Sequence, residues 1–122
     1  MTVALILLAG AVGSVARFVV DGAVKQWRPT TFPWATLVIN VTGSLLLGVL
    51  AGPVIYHAAP SDLQAILGTG FCGGYTTFST ASVETTRLAQ RRDGMRALAN
   101  ALASVVASVA ACASGLALAW AL

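Results

Sequence analysis

Four stretches of the chain carry no formal charge: residues 1–16, 29–61, 63–83 and 97–122, with His57 counted as neutral. Crossing a bilayer core takes about 20 mostly apolar residues in a helix. The pattern therefore predicts four membrane helices, over residues 2–20, 34–56, 63–87 and 96–122. Three short loops join them, and no stretch remains for a separate soluble domain, so 1–122 reads as a single four-helix unit. The first segment lacks the basic flank and small-x-small cleavage site of a signal peptide, which makes it a retained span.

Composition sharpens this reading. Hydrophobic residues make up 57% of the 122, charged residues 9%, and mean hydropathy is +0.84. A soluble domain carries about 25% charged residues because its surface faces water. A soluble enzyme, a secreted disulfide scaffold and a disordered chain are thereby excluded. The two cysteines, Cys72 and Cys112, fall inside expected helices and read as small buried hydrophobes. All seven Lys and Arg lie within residues 17–28 or 87–96, at two loops that helical hairpins bring to one face. The opposite face has Asp62, His57 and both termini. The positive-inside rule places the basic loops in the cytoplasm. No aromatic residues interleave with the basic cluster, so it is not a nucleic-acid surface.

Small residues suggest how such helices pack. The chain has 12 Gly and 23 Ala, and small residues let lipid-embedded backbones approach closely. Gly48 and Gly52 are one GxxxG step, Gly70 and Gly74 another. In the last helix Ala103, Ala107, Ala111, Gly115 and Ala119 recur every four residues. Beside that stripe runs a polar one, Asn100, Ser104, Ser108 and Cys112, whose serines either bond the carbonyls of their own helix or line a narrow wet track along the membrane normal. Asn40 lies deep in the second segment, where an amide must find partners. It either sets helix register or faces a solute path.

The third segment is unsuited to a regular helix. Across residues 68–80 four glycines and five Thr or Ser residues crowd mid-span, which predicts a break near residues 73–77. Irregular backbone at membrane depth is tolerated only where protein or a water-filled cavity covers it. Its freed carbonyls suit a hard cation such as sodium. There is no nucleophile–base pair and no metal-ligand spacing, so an enzyme is not expected, and His57 sits at a helix end without a catalytic role.

Residues 70–80, Gly-Phe-Cys-Gly-Gly-Tyr-Thr-Thr-Phe-Ser-Thr, resemble the signature of the CrcB/Fluc family of fluoride channels. Residues 10–18 (Gly-Ala-Val-Gly-Ser-Val-Ala-Arg-Phe) and 36–44 (Thr-Leu-Val-Ile-Asn-Val-Thr-Gly-Ser) are similar to two further family motifs, in the same order. The resemblance implies an all-α membrane protein of four transmembrane helices with a broken third. By the same resemblance two such subunits would form an antiparallel dimer with two fluoride pathways in the inner membrane, where fluoride would leave the cytoplasm passively. It also implies a structural sodium ion (Na+) held by the carbonyls of Gly73 and Thr76. The fluoride pathway would take Asn40, Phe78, Ser79, Thr80, Ser104 and Ser108. Arg17 would attract anions at its mouth, and Glu84 matches a family glutamate beyond the break.

The chain departs from the family at Ala81, where a second phenylalanine is usual. Together with the one-sided loop charge, this leaves two expectations for the other half of the dimer: a second copy, or a paralogous subunit of opposite orientation. A small multidrug-type exporter and a non-conducting accessory subunit are the rival functions. The exporter needs an intramembrane carboxylate, and the first helix has none.

Overall fold

The computed structural model describes residues 1–29 and 32–122, and the regular secondary structure among them is all helical. α1 spans Thr2–Trp27, α2 Trp34–Tyr56, α5 Ser79–Gln90 and α6 Gly94–Ala121. Between α2 and α5 the chain runs through α3 (Ser61–Leu63), a π-helical segment (Gln64–Cys72) and α4 (Gly73–Tyr75). α1, α2 and α6 are each long and apolar enough to cross a membrane.

The third segment begins at Ser61 and ends at Gln90 rather than at 63 and 87, and two further boundaries differ from the expected ones for a local reason. α1 continues seven residues past Val20, because Asp21 and Lys25, one turn apart, form an ion pair at 2.9 Å that carries the helix through its charged end. α6 starts at Gly94, since the Asp93 side chain accepts the N–H of Arg96 at 3.3 Å and satisfies one orphan donor of the first turn.

The helices pack as two parallel pairs. Gly48 of α2 lies against the Cys112 carbonyl of α6, and Gly115 of α6 against the Leu45 carbonyl of α2; a Cβ at either glycine would overlap that oxygen. α1 fits the 64–75 run in the same way, with Gly13 against the Phe71 carbonyl and Gly74 against the Gly10 carbonyl. In lipid, apolar contact between helices has no hydrophobic driving force, so this backbone-to-backbone fit supplies the dispersion energy that holds them.

The core is correspondingly thin. Ile39 and Asn100 are its largest fully buried side chains, while Val3, Leu7, Leu8, Val15 and Phe18 of α1 point outward, as lipid-facing residues do. His57, which ends α2, has its Nε2 3.2 Å from the Ala119 carbonyl near the end of α6. That end of the bundle is opposite the one carrying Lys25, Arg28, Arg91, Arg92 and Arg96. Cys72 and Cys112 are both free thiols.

Candidate functional site

Helical geometry stops after Tyr75. Thr76 is extended (φ −77°, ψ 163°), and helix resumes only at Ser79. Thr77 is thereby taken off the backbone ladder, and Asn40 of α2 replaces what it loses. Its Oδ1 accepts the Thr77 N–H at 2.8 Å, and its Nδ2 donates to the Thr77 carbonyl at 2.8 Å. A two-point clamp of this kind stabilises a buried peptide that would otherwise be stranded in a low-dielectric interior.

α1 covers two of the freed carbonyls. Ser14 donates to Gly74 and Arg17 Nη1 to Thr76, both at 3.3 Å. The Thr77 N–H that would serve the Gly73 carbonyl in a continued helix goes to Asn40 instead. Thr77 also starts the next helix, because its hydroxyl accepts the N–H of Thr80 at 3.2 Å. Tyr75 is held in place by a 2.9 Å contact with the Thr42 hydroxyl and by stacking on Phe71, with ring centroids 5.9 Å apart.

An open cavity of about 930 Å³ lies between α2, the interrupted run, α5 and α6. Asn40, Phe78, Ser104 and Ser108 line it, as do Gly73, Thr76 and Ala81. Arg17, Ser79 and Thr80 are not among its lining residues. Arg17 is engaged on the far side of the same break. The oxygens of Ser104 and Ser108 are buried without a hydrogen-bond partner, although either could have bonded its own helix backbone. Phe78 is 86% exposed and stands out from the fold beside exposed Ser79 and Thr80.

Every lining side chain is neutral. Glu84 lies just beyond the break, and its carboxylate accepts a hydrogen bond from the Thr36 hydroxyl of α2. A second bond, missed from the sequence, ties α5 to α6: Asn100 Nδ2 donates to Thr85 Oγ1 at 2.6 Å. Asn100 belongs to the polar stripe, but its partner depends on the register of the α5–α6 hairpin, which no spacing rule reveals.

Comparison with known proteins decides the family. The family described as "CrcB-like protein, Camphor Resistance (CrcB)" matches residues 4–116. The chain belongs to the CrcB family. Its relatives include "Fluoride-specific ion channel FluC 1" of Leifsonia xyli, 50% identical over 98 residues, or 80% of this chain and 72% of the relative. The protein of the same name in Streptomyces avermitilis is 46% identical over 119 residues, 97% of this chain and 96% of that one. "Fluoride-specific ion channel FluC 2" of Mycobacterium bovis is 50% identical over 95 residues, covering 78% and 72%. With three apolar helices of spanning length, this CrcB-family chain is a multi-pass membrane protein. The relatives are ion channels rather than enzymes.

Proposed function

We propose that this chain is a subunit of a passive, fluoride-selective channel that lets fluoride leave the cytoplasm. The observation that carries the reading is a cavity lined only by neutral groups, with two buried hydroxyls left unpaired, in a chain whose relatives are named fluoride-specific channels. Fluoride is small and strongly hydrated, so its water has to be replaced by hydrogen-bond donors. Dispersed neutral donors can do this and still let go, whereas a fixed full charge would hold the ion.

In this reading the 61–75 run and α5 together make a third, interrupted span. Phe78 would meet the ion with the positive edge of its ring, and Asn40 with the amide hydrogen that Thr77 does not use. Arg17 sits one carbonyl away from the pathway, a cation that favours anions without entering it. The neutral lining, with Glu84 occupied by Thr36, speaks against a proton-coupled exporter.

The finer assembly is also part of the proposal. Polar Ser79 and Thr80 beside an exposed phenylalanine at membrane depth call for cover by protein, which favours an antiparallel second subunit on this face. Oxygen donors of the Gly73 and Thr76 type fit a hard cation. Gly73 has lost its helical N–H partner, and the Thr76 carbonyl keeps a second lone pair beside its bond to Arg17. Two carbonyls are too few for one such ion, so a second subunit would complete the sodium site. A bound cation there would raise the local potential for an anion.

Fluoride efflux from liposomes holding only this protein, read with a fluoride electrode beside a chloride control, tests the reading. Rapid fluoride-only efflux is expected from a working homodimer. Efflux that needs a co-reconstituted paralogue would assign Ala81 to one half of an obligate pair. No efflux in either case would overturn the channel reading.

A further inference from the structure

The fate of each hydroxyl proton sorts the Ser and Thr residues near the cavity. Thr42, Thr76, Ser82, Thr86 and Ser114 each donate to the carbonyl four residues earlier, at 2.7 to 2.9 Å. A hydroxyl bonded this way has spent its one proton on its own helix. Ser104 and Ser108 have not.

Thr85 is a third case. It lines the cavity, and its Oγ1 accepts from Asn100 Nδ2 at 2.6 Å. Its own O–H donates to nothing among the described residues, although the Ala81 carbonyl lies one turn behind it. Asn100 is only 1% exposed and sits on the same four-residue row as Ser104 and Ser108. Resting on the channel reading above, we infer that Thr85 is a further anion-contacting hydroxyl and that Asn100 is its positioning residue. The buried amide fills the acceptor side of the Thr85 oxygen. The hydroxyl is then left to act as a donor, and polarisation by the incoming N–H strengthens it.

This gives the row of donors a regular spacing. Ser108, Ser104 and the Asn100 level follow one another at about 6 Å per four-residue step. Thr85 supplies at that last level the hydroxyl that Asn100 itself lacks, extending the line one turn toward the basic loops. An ion moving between successive weak sites never has to be held tightly at one of them.

Fluoride flux in phosphatidylethanolamine–phosphatidylglycerol vesicles tests this, with the partner subunit included if the wild type needs one. Thr85→Val keeps the shape and removes the hydroxyl. Losing one hydrogen bond to an ion typically costs about tenfold or more, so roughly a tenfold fall in flux and a higher half-saturating fluoride concentration are expected. Thr85→Ser is expected to stay within about twofold of wild type, because it keeps the donor. Asn100→Leu lets Thr85 turn to the Ala81 carbonyl and is expected to match Thr85→Val. The double variant is expected to be no slower than Thr85→Val alone, since both act through one group. A purely structural bond would shift the melting temperature and leave the half-saturating concentration alone. That result, or Thr85→Val at wild-type flux, overturns the assignment while leaving the channel standing. Absence of flux in the wild type itself would overturn both.

Discussion

Asn40 carries two roles in one side chain. Its Oδ1 and one Nδ2 hydrogen hold the Thr77 peptide, and the second hydrogen stays available on a residue that lines the cavity. Asn40→Leu strands two backbone groups at about 1–3 kcal/mol each. The expected outcome is a loss of roughly 2–6 kcal/mol in a denaturant titration of the solubilised protein, with fluoride flux abolished. Its importance was legible in the sequence, because an amide inside an apolar helix has to be satisfied. Its partner was not, since Thr77 lies 37 residues away. Arg17 is similar: the charge stands out in the sequence, but its bond to the Thr76 carbonyl is a product of the α1 packing.

At the scale of elements, backbone proximity decides what a residue may be. A Cβ at Gly74 would overlap the Gly10 carbonyl, whereas one at Gly22 would meet nothing within 4 Å. Overpacking of this kind costs about 1–3 kcal/mol or more, so Gly74→Ala is expected to lower the thermal midpoint and impair flux by forcing α1 off the break. Gly22→Ala is expected to be neutral or to stabilise by about 0.5–1 kcal/mol, because helix interiors favour alanine. Thermal denaturation of the pair in one detergent checks both. The GxxxG spacings identified close-packing faces but not their partners: Gly48 is matched by Cys112 and Gly115, and Gly74 by Gly10. The π-helical winding of Gln64–Cys72 also escaped the sequence. Glycine and threonine density indicates a weak helix, while the wider turn forms where α1 presses its backbone against the segment.

For the whole molecule the governing feature is charge asymmetry. Lys25, Arg28, Arg91, Arg92 and Arg96 sit at one end, and the other end has no Lys or Arg. Asp21 and Asp93 pair with Lys25 and Arg96 but leave the bias in place. Such a subunit is expected to insert one way, with its basic loops in the cytoplasm. An impermeant thiol reagent applied to intact cells is expected to label Ser61→Cys and to spare Gln90→Cys. Equal labelling of the two would show insertion both ways, which a self-sufficient antiparallel homodimer requires.

The class of molecule, the course of α2, the small-residue faces and the family can all be read from the order of residues. These depend on composition, local periodicity and contiguous motifs, and all of them survive without knowledge of what touches what. Tertiary structure decided which groups take over the hydrogen bonds that the backbone ladder gives up at residues 76–78: Asn40, Ser14 and Arg17, all from other helices. It also decided which hydroxyls keep a proton to offer. A serine on an i+4 row looks the same in sequence whether it bonds its own helix, as Ser114 does, or stands unpaired, as Ser104 and Ser108 do. The difference lies in the cavity between helices, which exists only once these successive segments have packed together.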